Sequence, residues 1–547
     1  MGSKPKLRVG LLLDSALKAF QAEIVDQIQS SEFAQLLLVI DDRGVPTSGL
    51  VRTDHRRPPL ALEMYQRLDR RQFDRPENPL RAIDDTEVVR TIPKISSGAG
   101  RSTLIADIGS HQLDVLLYLG GHPLVRATHS LAQFGVWSLR TGYDAGGFDE
   151  MPFFLDIYGD HVVSAIALNV ATKDAPAGRI VAKGTFSARR NSWLLNCTQP
   201  YWSAVTLVMQ KLRELNERGW DRFARNASIT EEASAARTNP TLRNRDVAGW
   251  WASRNLKKLT NRPREPLESH WRIATRVGKS PTLADSATPD LSGFRLHESP
   301  PGHYYADPFL IEEAGKHWLF FEDYRYATQH GVLGCAEVSP DGSVGPAQTI
   351  LERPYHLSYP CLLRESGELF MLPETLANGT VELYRCARFP DRWEPVKVLL
   401  SCRAVDSTIF KRDGLYWLFT SILEPHANCR QLNLFYARDL LGEWTPHPAN
   451  PLSSDIRFNR GAGAILSREA TLVRPSQDCG PSYGYSFSLN EITRLTPDEY
   501  SERCVLTAEP NWTPGLTGCH TYSLCGDVEA IYVAAKLPRS VVAPDTH

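Results

Sequence analysis

The chain has 547 residues, which is too long for one ordinary hydrophobic core and predicts two or three domains. Hydrophobic residues make up 42% of it and charged residues 23%, a composition typical of a globular protein. Its 61 Lys and Arg against 63 Asp and Glu give a net charge of −2, so no nucleic-acid partner is expected on electrostatic grounds.

The cysteines and the amino terminus indicate the compartment. Ten cysteines are scattered without a CxxC pair, which favours free thiols in a reducing environment over disulfides or a metal site. The apolar run that follows the basic segment Met1–Arg8 is shorter than the core of a secretory signal, and no run approaches the roughly 18 residues of a membrane span. We therefore expect a cytoplasmic protein.

The first elements predict an α/β domain over residues 1–195. An apolar strand at Leu7–Ser15, a helical pattern at Ala19–Gln29 and a second apolar strand at Leu36–Ile40 form a βαβ unit. Because these strands are apolar throughout, we expect a doubly wound parallel sheet with both faces covered. The polar, Arg- and Pro-rich residues 42–100 are interpreted as an insertion with short helices.

The sheet is expected to resume at Leu113–Gly121, followed by a helix near Leu124–Gln133 and a strand at Phe134–Tyr143. At these residues the chain resembles the formyltransferase family. Its amino-terminal domain is a doubly wound sheet that carries 10-formyltetrahydrofolate, and there a helix is followed by Gly-Val-x-Asn-x-His. The resemblance implies the same fold for the first 190 residues.

The catalytic positions of that family are altered in this chain. The Asn position corresponds to Ser138, the His position to Arg140, and Asp174 alone matches the third, acidic position. Arginine stays protonated and cannot shuttle a proton as an imidazole does. The sequence therefore predicts a domain that keeps the fold, loses formyl transfer and does not use the folate.

Such a domain can still bind a ligand at the carboxyl ends of its strands. These ends lie near Asp14–Ser15, Gly120–His122 and Arg140–Tyr143, with the glycine-containing loop Asp144–Gly147 beside them. A guanidinium fits phosphate by paired hydrogen bonds, so Arg140 is a candidate for binding a nucleotide-sugar or another phosphorylated ligand. A structural salt bridge is the alternative role for this arginine.

Residues 196–267 are interpreted as a helical linker. Tyr201–Phe223 has the periodicity of an amphipathic helix, and Gly249–Leu259 forms a second helix with two adjacent tryptophans and three basic residues. Tryptophans beside lysines favour either a peripheral contact with an anionic membrane or a contact that locks two domains together. The sequence leaves both open.

A hairpin pattern then recurs between residues 304 and 420, in which a polar residue opens an apolar strand, a glycine turns the chain and a second strand returns. The opening residues are Asp307, Tyr359 and Asp406, and the turns are at Gly315, Gly367 and Gly414. The spacings 359 − 307 = 52 and 406 − 359 = 47 match the period of about 50 residues of a propeller blade. Weaker copies at 461–466 and 519–524 complete a predicted five-bladed β-propeller over 268–540.

The first strand of each blade points its first residues at one central funnel. Asp307, Tyr359, Asp406, Arg460 and His520 are therefore expected to converge. The ring of blades would close by pairing of the strand at Glu268–Ala274 with the last strand, Ala530–Ala534.

The motif Ala306-Asp307-Pro308-Phe309 and the three matching blades resemble the five-bladed propeller glycosidases of the arabinanase, xylosidase and invertase type. The resemblance implies that Asp307 is the base or nucleophile and that Asp406 tunes the acid. A glutamate donates the proton, and we prefer Glu374 to Glu322 because Pro373 fixes the chain before it. The remaining candidates, for substrate binding, are Tyr305, Glu322, Tyr359, Arg460, Arg474 and His520.

Three functions remain open. A cytoplasmic location disfavours polysaccharide degradation, and similar propellers occur joined to glycosyltransferases that act on inositol-phosphoceramide lipids. The leading hypothesis is therefore glycosyl transfer, with a furanose as one candidate sugar, in glycan or glycolipid assembly; glycoside hydrolysis is its near relative. A formyl or acyl transferase acting on an amino sugar, and a sugar-binding protein without catalysis, are the alternatives.

Overall fold

The structure is a computed structural model that describes residues 4–43, 50, 58–84, 88–96, 101–120, 124, 126–142, 152–225, 228–229, 242–260, 267–423, 430–468 and 471–538. The chain divides into two compact units, of which unit 1 begins at Met1 and ends at Asn261, and unit 2 holds the propeller. Each unit is described by itself.

Unit 1 combines strands and helices in alternation. Its strands are β1 (Leu7–Leu13), β2 (Ala34–Asp41), β3 (Lys94–Ser96), β4 (Val115–Tyr118), β5 (Val136–Thr141), β6 (Val163–Ala171), β7 (Arg179–Ser187) and β8 (Ser228–Ile229). Its helices are α1 (Ala19–Ser30), α2 (Leu60–Phe73), α3 (Arg101–Ser110), α4 (Phe154–Tyr158), α5 (Trp193–Arg218), α6 (Trp220–Arg225) and α7 (Asn244–Thr260), with a 3₁₀ turn at Arg126–Ser130.

The sheet of unit 1 is mixed rather than wholly parallel. Strands β3, β2, β1, β4 and β5 lie side by side in parallel, and β6, β7 and β8 extend the sheet antiparallel beyond β5. The predicted βαβ unit is confirmed, because α1 connects the parallel strands β1 and β2. The segment interpreted as an insertion supplies helix α2 and the sheet strand β3.

Both faces of this sheet are covered. Alternate residues of β1 enter two different cores: Val9 and Leu11 pack in one cluster with residues of α1 and α5, whereas Leu12 packs in another with Leu104 of α3. This alternation explains why both faces of the strand carry apolar side chains, with Arg8 as the exception. Helix α5, read from the sequence as part of a linker, is an integral part of the first core.

Unit 2 consists of five small antiparallel sheets, each a blade. Blade 1 contains β11 (His303–Glu313), β12 (Lys316–Arg325), β13 (His330–Val338) and β14 (Gln348–Leu351); blade 2 contains β15 (Ser358–Glu365), β16 (Glu368–Thr375), β17 (Thr380–Arg388) and β18 (Arg392–Leu400); blade 3 contains β19 (Ala404–Arg412), β20 (Leu415–Leu423), β21 (Arg430–Ala437) and β22 (Thr445–Pro446). A two-residue strand β23 (Ser454–Asp455) precedes blade 4 in the chain.

The last two blades depart from this regular pattern. Blade 4 contains β24 (Arg460–Gly461), β25 (Leu466–Arg468), β26 (Thr471–Asp478), β27 (Ser486–Leu495) and β28 (Tyr500–Ala508), so its first strand is split in two. Blade 5 joins β29 (Leu516–Cys525) and β30 (Val528–Pro538) to β9 (Leu267–Val277) and β10 (Arg295–Leu296).

The five-bladed propeller and its closure are confirmed. Strand β9 pairs with β30 along its whole length, including Ala274 with Ile531, so the first and last strands of unit 2 complete one blade. The ring leaves no long sheet edge unpaired. The predicted turns are confirmed as well, because Gly315, Gly367 and Gly414 have φ of 74°, 82° and 75°, and each follows another residue of positive φ, as tight hairpin turns require.

None of the helices in the described ranges combines the length and the apolar composition needed to cross a membrane. The nine cysteines that the structure describes are free thiols.

Candidate active site

Asp307, Tyr359 and Asp406 occupy one and the same backbone position in the first three blades. Their φ angles are 47°, 47° and 52°, in the left-handed region that non-glycine residues rarely adopt. At each of them the pairing of the first and second strands shifts register, which is a β-bulge. Because a bulge re-aims a side chain, this repeated distortion turns all three side chains away from the regular alternation of their strands.

A second position repeats on the neighbouring strands. Glu322, Glu374 and Ser421 each pair with the residue that immediately precedes the bulge of their blade. The predicted equivalence of Glu322 and Glu374 is thereby confirmed. Blades 1 and 2 bring a glutamate to the place where blade 3 has a buried serine.

Asp406 forms a buried ion pair across two blades. Its carboxylate accepts hydrogen bonds from Nε and Nη2 of Arg460 at 2.5 and 2.9 Å, and both side chains are almost inaccessible to solvent. Burial opposes the charge of Arg460, but Asp406 outweighs it and raises the pKa of the guanidinium above its ordinary value. The aromatic ring of Tyr483 lies 5.2 Å from the Arg460 guanidinium and is itself exposed.

Glu374 lies beside this pair. Its Oε2 accepts a hydrogen bond from the backbone N–H of Asp406 at 3.4 Å. Burial, and then the negative charges of Asp406 and Asp307, raise the pKa of Glu374 to about 8, although Arg460 acts in the opposite direction. Glu374 therefore keeps its proton at neutral pH, as a general acid must.

Asp307 and Glu322 face each other on blade 1. Oδ1 of Asp307 accepts a hydrogen bond from Thr521 Oγ1 at 3.2 Å and lies 3.6 Å from Nε2 of His520. Burial, followed by the charges of Asp307 and Glu374, raises the pKa of Glu322 well above its ordinary value. We call Asp307, Glu322, Glu374, Asp406 and Arg460 the funnel cluster.

Three other predicted site residues take different places. Tyr359 is completely buried, and its hydroxyl contacts Thr408 Oγ1 at 2.8 Å and both backbone groups of Gly463. Arg474 is 2% exposed and paired in bidentate fashion with Glu502. The structure thus gives Tyr359 and Arg474 contacts within the propeller framework, whereas the half-buried Tyr305 packs on Phe321.

Three residues near the funnel cluster were not found from the sequence. Nε2 of His356 lies 3.6 Å from Glu322 Oε1, while its Nδ1 accepts a hydrogen bond from the Gly331 N–H. Arg430 is a second guanidinium, and burial, followed by the positive charge of Arg460, lowers its pKa. The third of these residues is Tyr483, whose ring lies over the Arg460 guanidinium.

The repeat contains a signal for two of them. His356 lies one period after Tyr304, since 356 − 304 = 52, and Arg430 is the first residue of the third strand of its blade, as His330 and Thr380 are in theirs at intervals of 50.

Several buried polar atoms of this region lack a hydrogen-bond partner among the described residues. They are Oε1 of Glu322, Nε of Arg430 and Nδ1 of His520. Buried polar groups are nearly always paired, so these three atoms are free to bond to a bound molecule. In the ranges the structure describes, no group of three His, Cys, Asp or Glu side chains has the geometry of a metal site.

Unit 1 brings together part of its own predicted site. At the carboxyl ends of β1 and β4, Tyr118 Oη donates a hydrogen bond to Asp14 Oδ2 at 2.7 Å, and a Cβ at Gly120 would lie 2.4 Å from the same oxygen. Arg140 donates a hydrogen bond to the carbonyl of Ala177 at 2.6 Å, and burial lowers its pKa. Residues 121–122 and 143–147 of the predicted site lie outside the described residues.

Comparison with known families gives a match to part of unit 2. Residues 286–511 match the family described as glucosamine inositolphosphorylceramide transferase 1, N-terminal. All five residues of the funnel cluster fall in this span, and His520 lies beyond it.

Two curated relatives carry the same name. The protein called glucosamine inositolphosphorylceramide transferase 1 from Oryza sativa subsp. japonica is 34% identical over 239 residues, and that from Arabidopsis thaliana is 35% identical over 207 residues. The alignments cover 43% and 37% of this chain, but 30% and 27% of the relatives. The chain thus spans less than a third of the length of the relatives it matches.

Among solved structures, Zg3597, a family 117 glycoside hydrolase from Zobellia galactanivorans, shares 12% identity over 52% of this chain and 93% of its own, with a TM-score of 0.32. The alpha-L-arabinanase of Cellvibrio cellulosa shares 12% identity over 41% of this chain and 81% of its own, with a TM-score of 0.29. Neither likeness bears on the chemistry of this chain.

Proposed function

We propose that this chain transfers a sugar to a glycolipid acceptor and that the reaction takes place at the funnel cluster. The observation that carries the proposal is a coincidence of position. The segment that matches a family named for transfer to inositolphosphorylceramide is the segment that holds four carboxyl groups and an arginine at the propeller axis.

The chemistry follows from the protonation of these groups. Asp307 is the base that removes the proton from the acceptor hydroxyl, whose oxygen then bonds to the anomeric carbon. The bond from that carbon to the donor oxygen breaks, and Glu374, protonated because its pKa is about 8, gives its proton to the departing oxygen. Burial and then the negative charge of Asp406, which is held by Arg460, keep the proton on Glu374.

Arg430 supports a substrate that contains phosphate. Its Nε is buried without a partner among the described residues, and the carboxylate of Asp406 is already bound by Arg460. A guanidinium in this position suits a phosphate oxygen of a nucleotide-sugar donor or of a phosphoceramide acceptor. Glucosamine, the sugar in the relatives' name, is the first donor sugar to test, and a furanose is the second.

Hydrolysis is the second candidate. A charged carboxylate and a protonated carboxyl group on one axis are also what a glycosidase requires, with water in place of the acceptor hydroxyl. The same residues would act, so only the fate of the sugar distinguishes the two reactions.

For unit 1 we propose a donor-binding role. In its parallel part the strand order is β3, β2, β1, β4, β5, which reverses direction beside β1, and α/β sheets bind ligands at the carboxyl ends of strands at such a point. Asp14 and Tyr118 meet there. The resemblance to formyltransferases belongs to this proposal as an origin of the fold, with formyl transfer to an amino sugar as its alternative activity.

The test is to incubate the full chain with a panel of nucleotide-sugars, with and without inositolphosphorylceramide, and to analyse lipids and free sugars by mass spectrometry. A lipid that gains one sugar supports transfer. Free sugar released equally with and without the lipid supports hydrolysis instead. A parallel reaction with 10-formyltetrahydrofolate and amino sugars tests the formyl alternative.

For the variant Asp307→Asn, the matched control is Glu337→Gln, because Glu337 lies on the same blade as Asp307 but is paired with Lys316 at the surface. It should behave as the parental chain. Binding of sugars by the parental chain without any turnover would contradict an enzymatic function.

A further inference from the structure

Helix α2 of unit 1 exposes an apolar stripe. Leu60, Met64 and Leu68, spaced four residues apart, are 68%, 58% and 44% exposed. At about 3.6 residues per turn these positions lie above one another on the helix. An exposed row of large apolar side chains on one helix is typical of an interaction surface.

The opposite side of α2 is firmly held in unit 1. Asp69 accepts hydrogen bonds from Ser192 Oγ and the N–H of Leu194, both at 2.9 Å. The buried Tyr65 contacts the rings of Trp250 and Trp251 at 5.3 and 6.2 Å. The helix therefore cannot rotate to bury its apolar stripe, and the tryptophans serve to hold α7 against α2.

The charged residues beside this apolar stripe indicate what kind of surface binds to it. Arg67 and Arg71 are exposed and fall on the same side of the helix as the three apolar residues, within about one quadrant of its circumference. The acidic residues of α2 do not face outward from the stripe. Asp69 is buried, and Glu63 is half-buried at the edge of the stripe. The exposed charges on the stripe are positive.

We propose that this α2 face, formed by Leu60, Met64, Arg67, Leu68 and Arg71, docks on a membrane surface that contains anionic lipid. The three apolar side chains enter the interfacial region and the two guanidinium groups bind lipid phosphates. Exposed Leu256 and Lys257 on the neighbouring helix α7 have the same mixed character. The residues that contact the membrane thus differ from the tryptophans that the sequence suggested.

The inference stands apart from the proposed function, because lipid binding is measured without any reaction. The full chain is sedimented with vesicles of phosphatidylcholine alone and of phosphatidylcholine mixed with phosphatidylserine. We expect it to sediment with the mixed vesicles. Leu60→Ser/Met64→Ser/Leu68→Ser should weaken this binding by more than about tenfold, because it removes most of the apolar area that enters the interface.

Arg67→Gln/Arg71→Gln should weaken binding to the mixed vesicles by about fivefold for each arginine and leave binding to phosphatidylcholine unchanged. The matched control is Val396→Ser/Val398→Ser, which removes exposed apolar side chains from strand β18 of the propeller. It should bind as the parent does. Thermal unfolding of every variant checks that the fold is kept.

Two results would overturn the proposal. One is a parental chain that stays in the supernatant with anionic vesicles. The other is an apolar triple variant that binds as tightly as the control. If the triple variant instead changes the molar mass measured by light scattering while vesicle binding is absent, a second copy of the chain covers the stripe and the membrane assignment is wrong.

Discussion

Blades 1 and 2 place different side chains on the same backbone. Asp307 and Tyr359 share a φ of 47° and the same bulge, yet Asp307 belongs to the funnel cluster whereas the Tyr359 hydroxyl contacts Thr408 and Gly463 of two further blades. The bulge itself therefore does not define a reactive group. It supplies a strained position, and the side chain decides whether that position adds a carboxylate to the funnel cluster or a hydroxyl that ties blades together.

The largest expected effect in this comparison is on turnover. Asp307→Asn should lower the rate of sugar transfer by about a thousandfold, because the amide has the same shape but cannot accept the acceptor's proton. The melting temperature should stay close to that of the parent. A variant that keeps the parental rate would show that blade 1 has no more chemical importance than blade 2.

Asp406→Ala tests the third copy of the bulge through its effect on the free energy of unfolding. It leaves the buried guanidinium of Arg460 without its carboxylate, and we expect the free energy of unfolding to fall by about 3–5 kcal/mol. Urea unfolding followed by tryptophan fluorescence measures it. The control is Glu313→Ala, which removes a surface ion pair with Arg364 and should cost at most about 1 kcal/mol.

Tyr359→Phe should lower stability rather than turnover, the reverse of the pattern expected for Asp307→Asn. Loss of the hydroxyl leaves the buried N–H of Gly463 without its acceptor and should lower the free energy of unfolding by about 1–3 kcal/mol, with little effect on turnover. The same urea experiment measures it. Loss of turnover without loss of stability would instead place Tyr359 among the substrate-binding residues, as the sequence predicted.

The smallest effect, counted per pH unit, is on the pH dependence of stability. The native state keeps the proton of Glu374 up to a pH of about 8, whereas the unfolded chain releases it near the ordinary glutamate pKa of 4.5. The native state thus binds more protons between these values, and the free energy of unfolding should fall as pH rises, by at most about 1.4 kcal/mol per pH unit for this group.

Glu374→Gln removes this proton and should make the decline with pH shallower, by the share that Glu374 contributes. Glu322, whose pKa is also raised, keeps its own contribution. Unfolding curves at a series of pH values check the difference, and parallel slopes for parent and variant would contradict the raised pKa of Glu374.

Much of the propeller was predictable because its pattern is local. The glycine turns, the alternating strands and the polar opening residues lie within a few residues of one another in each copy, so the repeat identified three blades and placed Glu322 and Glu374 at equivalent positions. Blade 4 was less clear because its first strand is broken between Gly461 and Leu466.

The roles of single side chains were less predictable. Arg474 looked like a ligand for phosphate, but its partner is Glu502, 28 residues away on the outermost strand of the blade. Arg430 was not identified from the sequence because the charges that act on it, Arg460 and Asp406, come from other strands. Periodicity alone reveals a position in the blade and not the partners around it.

The sequence by itself determined the hairpins, the period and the polar residue at each strand opening, since these depend on turn geometry and on alternation within short segments. The tertiary structure alone decided which of the aligned residues share one environment. Asp307, Glu374 and Asp406 come from three blades, and the pKa of Glu374 is raised by burial among charges that are distant in the chain. Electrostatic coupling depends on distance in space, which only ring closure fixes.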